Sequence, residues 1–184
     1  MAADPVICAP LVAERLALRS ARTPVLRTGM GPARSRRSAA QLRDRARLVA
    51  GVAGGLAPNI AVADVVVATE VLGGDHPIAC QHPDVLADRL RGFGLTVHIG
   101  PILSTPRLTF SAAARARLAA TGALAVDMES AWLAGPTPFA VVRVVSDTAT
   151  AGLLSPAVLA RGWRALATLH RCTPALDEWA AAAR

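Results

Sequence analysis

The sequence predicts an α/β protein, a three-layer αβα sandwich around a mixed, mainly parallel central sheet. Three observations carry that expectation. Short apolar runs alternate with helical stretches almost to the end of the chain. The run over residues 65–71 is continuous and mostly β-branched, as in a strand buried on both faces. Acidic clusters stand where two other apolar runs stop: Asp127 and Glu129 after 124–126, and Asp147 after 139–145. In a parallel α/β sheet, side chains at the carboxyl ends of strands face the ligand crevice.

In chain order, residues 6–9 read as a first strand and 11–20 as the helix after it, with Leu11, Leu16 and Leu18 among its apolar residues. Residues 25–27 form a short strand that ends at Thr28-Gly29-Met30-Gly31. Pro32 suits the first turn of a helix running to about residue 42. Residues 48–53 form a third strand closed by Gly54-Gly55, and 58–64 form a turn before the strand at 65–71. A polar loop covers 73–83, a helix 84–91 and a strand 95–99. Ser111 is the expected N-cap of a helix to residue 120. Strands at 124–126 and 139–145 follow, and helices at 159–169 and 176–183 close the chain. No repeat or linker divides residues 1–184, so one domain is expected.

Composition narrows the function. Hydrophobic residues make up 53% and charged residues 18%, against disorder. No apolar run is long enough to span a bilayer and no signal peptide is visible, so a cytoplasmic protein is expected. Cys8, Cys80 and Cys172 are odd in number and widely spaced, which suits reduced thiols. The net charge of +7 is carried by arginine alone, and half the arginines fall between Arg15 and Arg47. Such a patch can attract an anionic membrane surface. Nucleic acid is not an expected partner, because aromatics are 3% and no stacking platform accompanies the basic run. His76, His82 and His98 lack metal-ligand spacing, so no metal is expected.

The candidate site rests on the acidic strand ends. Two carboxylates there can divide labour, one binding hydroxyls and the other handling a proton. The alternative is a helix cap or an ion pair, for instance with Arg143. Gly29 and Gly31 permit close backbone approach to a ligand, and the following helix N-terminus favours an anion or oxygen-rich group. A plain strand-to-helix turn is the alternative there. Trp132 reads as core or interface.

Asp127-Met128-Glu129-Ser130 and Arg143-Val144-Val145-Ser146-Asp147 resemble the paired signatures of the purine nucleoside phosphorylase and nucleosidase superfamily. Three further segments fit in order: Thr28-Gly29-Met30-Gly31, the stretch 51–70 with its Gly-Val-Ala-Gly-Gly and Asp-Val-Val-Val-Ala-Thr-Glu, and Val97-His98-Ile99-Gly100-Pro101-Ile102. Together they cover nearly the whole chain. The stretch 127–134 is most similar to the hopanoid-associated nucleosidase or phosphorylase type.

That resemblance implies cleavage of the N-glycosidic bond of an adenine nucleoside, with release of adenine, from adenosylhopane in the hopanoid-associated case. It implies Asp147 as general acid at purine N7, Glu129 as acceptor for the ribose 2′ and 3′ hydroxyls, and Met128 against the ribose face. Glu14 resembles the glutamate that activates water; an exposed helical glutamate beside Arg15 is the alternative. Thr28, Gly29, Gly31 and Ser146 fall with the substrate-binding residues. Water is the implied co-substrate and no cofactor is needed. Ala9-Pro10-Leu11 stands where phosphorylases carry Gly-Asp-Pro, which favours water over phosphate as nucleophile. A homo-oligomer, and weak membrane-surface contact with a lipid-linked substrate at the inner membrane face, are further expectations of the resemblance. Two departures stand out. The segment 104–108 lacks the family's base-stacking Phe, leaving Leu108 or Phe110 to cover the purine, and the helix after Asp127-Met128-Glu129 is short. A nucleoside-binding member that has lost catalysis is the alternative reading.

Overall fold

A computed structural model describes residues 3–107, 111–147 and 157–184. Leu108 and Phe110 lie outside them. The elements in order are β1 (Ala3–Ala9), α1 (Val12–Ala17), β2 (Val25–Arg27), α2 (Pro32–Gln41), β3 (Arg45–Gly55), β4 (Val65–Leu72), β5 (Ile78–Ala79), α3 (Pro83–Gly92), β6 (Val97–Ser104), α4 (Ala112–Ala119), β7 (Ala125–Asp127), α5 (Ser130–Leu133), β8 (Phe139–Asp147) and α6 (Ala157–Ala182). Parallel pairs β1–β2, β1–β3, β3–β8, β4–β6 and β6–β7 dominate, and β8 joins the halves by pairing antiparallel with β4.

Strand alternation builds two cores. Ile7, Leu48, Val65, Val67, Val142 and Val144 face one way, onto α1, α3 and α6. Their neighbours Val6, Val49, Val66, Val141 and Val145 face the other, with Leu133 of α5. Strands buried on both faces read as apolar runs without polar alternation, and 65–68 and 139–142 are such runs at the starts of β4 and β8. On the second side Arg36 of α2 lies over the Trp132 ring at 5.8 Å, tying α2 to α5.

Three elements differ from expectation. The strand expected at 95–99 is β6, shifted toward its carboxyl end, and β5 forms inside the expected loop by pairing Glu70 with Ala79 and Val71 with Ile78. The two closing helices are one, running through Pro174. Proline removes the N–H that would reach the carbonyl four residues back. Here the Thr173 hydroxyl donates to that carbonyl, His170 O, at 2.7 Å. Buried Cys172, Leu176 and Trp179 continue the core face across the proline. Among the described residues no helix is long and apolar enough to cross a membrane.

The register of β3 opens the crevice. Its edge toward β1 is paired as far as Cys8–Val49, and β7 takes up that edge again at Gly54–Val126 and Gly55–Ala125. Between them that edge of β3 has no strand beside it, while β8 pairs along the other edge, so the backbone donors on the open edge need other partners.

Candidate active site

Glu14 supplies one such partner. It sits in the first turn of α1, immediately after β1, and reaches into the gap. Its Oε1 accepts from Val52 N at 2.8 Å and its Oε2 from Leu11 N at 2.6 Å. The second bond also satisfies a free donor at the helix start. Glu14 is 1% exposed, so the exposed-glutamate alternative is overturned: the open strand edge draws the side chain inward. Burial pushes its carboxyl above the ordinary value, although Arg143 and the two backbone donors pull the other way.

At the end of β7, Asp127 is fixed on all sides. Its Oδ1 accepts from Ser104 Oγ at 2.5 Å and from Glu129 N and Ser130 N at 3.2 Å each. Its Oδ2 accepts from Arg143 Nε at 2.9 Å and from the Ser130 hydroxyl. Burial opposes its charge, but Arg143 and these hydrogen bonds outweigh that and hold the carboxyl below its ordinary value. Glu129 follows at the head of α5. Gly31 N donates to its Oε1 at 3.1 Å, and Arg143 Nη2 lies 3.4 Å from its Oε2. Burial raises its carboxyl, Arg143 offsets part of this, and the Asp127 charge adds to the rise.

Arg143, fully buried in β8, is therefore shared by Asp127 and Glu129. Opposite it on β3 stands Gly51, where a side chain would collide with Glu14 and come within 2.6 Å of Arg143 Nη1. Glycine is what lets α1 and β8 bring these charges together. The ion-pair alternative for Glu129 and its role at a pocket are both satisfied, because the same carboxylate does both.

Asp147 closes β8. Ser146 Oγ donates to its Oδ1 at 3.0 Å, and the guanidinium of Arg115 from α4 pairs with its Oδ2. Glu14, Asp127, Met128, Glu129, Ser146 and Asp147 all line one cavity of about 180 Å³, with Leu11 and Met30 exposed beside it.

The turn after β2 departs from expectation. Thr28, Gly29 and Gly31 do not line the cavity; Met30 does. Gly31, with φ +86°, N-caps α2 and spends its N–H on Glu129. Of the three, Gly31 supports the site directly, through its N–H to Glu129. Arg115 is the lining residue that sequence reasoning missed. His98 is satisfied by Asp64 at 2.9 Å, and no cluster of metal-ligating side chains occurs among the described residues. The three cysteines are buried and free, and burial pushes each thiol up to about 12.

An α/β sheet with carboxylates from α1, α5 and β8 gathered in one cleft defines an acidic small-molecule site at strand ends. The family model of the phosphorylase superfamily matches residues 20–173, and the chain belongs to that superfamily. No curated protein matches the sequence. Among solved structures, 5′-methylthioadenosine/S-adenosylhomocysteine nucleosidase from Neisseria meningitidis, in complex with methylthio-immucillin-A, is 20% identical with a TM-score of 0.78, covering 94% of this chain and 98% of that one. A Helicobacter pylori nucleosidase variant with 5′-methylthioadenosine in its active site gives 16%, 0.76, 96% and 97%. Futalosine hydrolase of Helicobacter pylori gives 17%, 0.76, 98% and 97%. At these identities the likeness establishes the fold.

Proposed function

We propose that this protein hydrolyses the N-glycosidic bond of an adenine nucleoside. The observation that carries the reading is the convergence of Glu14, Glu129 and Asp147, from three elements, on one cleft. Each has work that suits its setting. Breaking the C1′–N9 bond leaves positive charge on the sugar and negative charge on the purine. Asp147, in its acid form, gives a proton to N7 so that the base leaves neutral. Glu129 accepts hydrogen bonds from the ribose hydroxyls, and its charge favours the developing oxocarbenium. Met128 packs against the sugar. Glu14 takes a proton as water adds its oxygen to C1′, and a carboxylate made more basic by burial is suited to that step.

Water is favoured over phosphate by the cavity's charge. Arg115 is the one cation lining it among the described residues, and Asp147 holds that guanidinium. The Gly31 amide is engaged by Glu129. Among the described residues a phosphate dianion would meet four carboxylates, Glu14, Asp127, Glu129 and Asp147, and one cation that is already paired. The deciding experiment is incubation with adenosine-type nucleosides, with and without phosphate. Adenine released at equal rates in both is expected. A phosphate requirement with ribose 1-phosphate as product moves the protein to phosphorolysis, and no cleavage of any nucleoside leaves a binding protein.

The finer reading is a nucleoside carrying a lipid-linked 5′ group, as in adenosylhopane, handled by a cytoplasmic homo-oligomer touching the inner membrane face. The support is an exposed apolar strip, Leu16 (59% exposed) and Trp163 (75%) with Val12, flanked by Arg15 and Arg19. Exposed apolar groups set among arginines suit an anionic lipid surface.

A further inference from the structure

A cavity of about 180 Å³ is small for the task, since ligand pockets run to roughly 300–1,000 Å³. One end of the space is taken by Arg115. Its Nη2 touches Asp147 Oδ2 and lies 3.4 Å from where a side chain on Gly54 would begin. The guanidinium thus rests on the floor of β3, against the carboxylate assigned to the base.

The hold on it is slight. Each guanidinium has a buried Nη1 without a hydrogen-bond partner among the described residues, but Arg143 binds two carboxylates and the Ser130 hydroxyl, whereas Arg115 binds Asp147 through Nη2. With one ionic partner set against an unpaired buried donor, the Arg115 arrangement is the more readily exchanged for another. The helix beneath is lightly anchored too. Leu118 and Ala119 of α4 rest on a small cluster of Leu56, Leu103 and Ala123, apart from the two main cores. Elements with few buried apolar contacts are those that shift first.

Resting on the reading of Asp147 as proton donor to the base, we propose that Arg115 competes with the purine for Asp147. In the empty protein its guanidinium fills the base end of the cavity and neutralises the carboxylate. When the base enters, the guanidinium withdraws and Asp147 turns to the ligand. Affinity is then the intrinsic value reduced by the fraction of molecules in which Asp147 is free. An ion pair favoured about tenfold, equivalent to about 1.4 kcal/mol, weakens binding about tenfold. Base binding and the Arg115–Asp147 contact are therefore alternatives, and Arg115 sets the substrate concentration at which the protein works.

The test uses Arg115→Met, which keeps the apolar stem, and Arg115→Lys, which keeps the charge. Adenine is the binding probe and an adenine nucleoside the substrate. For Arg115→Met, both the Kd for adenine and the KM fall about tenfold. In Arg115→Lys, which keeps a cation for Asp147, both stay closer to the values of the unaltered protein than in Arg115→Met. Unchanged or weakened adenine binding in Arg115→Met overturns the competition. If that variant does not fold, Arg115→Gln takes its place, and adenine binding in it no tighter than in the unaltered protein overturns the competition equally. Tighter adenine binding in Arg115→Met without cleavage by either protein keeps the competition and removes the hydrolase reading. Cleavage by both at equal KM does the reverse.

Discussion

Arg143 and Arg115 each meet an aspartate at a strand end, yet the two settings differ in almost every respect. Arg143 stands in the middle of the sheet, where β8 lies between β3 and β4, and its partners come from β7 and α5. Asp127, its main partner, accepts from two hydroxyls, two backbone amides and the guanidinium. Arg115 comes from α4 at the margin and, among the described residues, pairs with Asp147 alone. One ion pair is part of the frame, and the other sits in the space that a ligand needs. Cationic partners at one site can thus do opposite things, and the number of further bonds each makes tells them apart.

The largest effect belongs to the lightly held end. Asp147→Asn removes the proposed acid while keeping an oxygen for Arg115 and turning an NH2 donor toward the Ser146 hydroxyl, so turnover falls about 10²–10⁴-fold with melting nearly unchanged. Steady-state rates set beside a thermal melt check both halves. Full activity in the folded variant removes Asp147 from the reaction.

At the framed end the loss is in the fold itself. Arg143→Met leaves Asp127 and Glu129 buried without their counter-charge, and breaking a buried pair this way costs about 3–5 kcal/mol. Denaturant unfolding should place it in that range. A variant as stable as the parent would mean that the carboxylates find water or take up protons at little cost, and the contrast between the two arginines would shrink.

The same contrast explains what the sequence revealed. Arg143 and its partners lie inside contiguous signatures, Asp127-Met128-Glu129-Ser130 and Arg143 to Asp147, and the apolar runs before them placed the acidic residues at strand ends. Glu14 was half legible: its position after the first strand was clear, but its burial depends on the gap between β1 and β7 along β3, a tertiary feature. Arg115 was not legible. It stands in an Ala/Arg-rich helix two residues from exposed Arg117, and no local pattern says which of the two faces inward. Gly31 was ambiguous for a related reason. A glycine turn before a helix looks the same whether its amides await a ligand or serve a carboxylate nearly a hundred residues away. The closing helix was split at Pro174 because the rescue by Thr173 needs one rotamer, which propensity does not encode.

The smallest effect, and the one that bears most directly on mechanism, is a displaced pH limb. Glu14 must be ionised to take a proton, and burial raises its carboxyl above the ordinary glutamate value of about 4.3. The acid limb of kcat/KM therefore lies above that range. Asp127 moves in the opposite direction and stays charged throughout, so it contributes no limb near neutrality. The signs for stability differ accordingly. A carboxyl raised in the fold stabilises fully only below its unfolded value, and that contribution is lost as pH climbs through the folded one. A depressed carboxyl such as Asp127 stabilises above its unfolded value, and that is lost as pH falls through the folded one. A pH profile of kcat/KM in the unaltered protein reads the limb, and the residual activity of Glu14→Gln should lack it. A limb within the ordinary glutamate range removes Glu14 as the titrating base. A raised limb that survives in Glu14→Gln assigns that role to Glu129, which shares both the cavity and the upward shift.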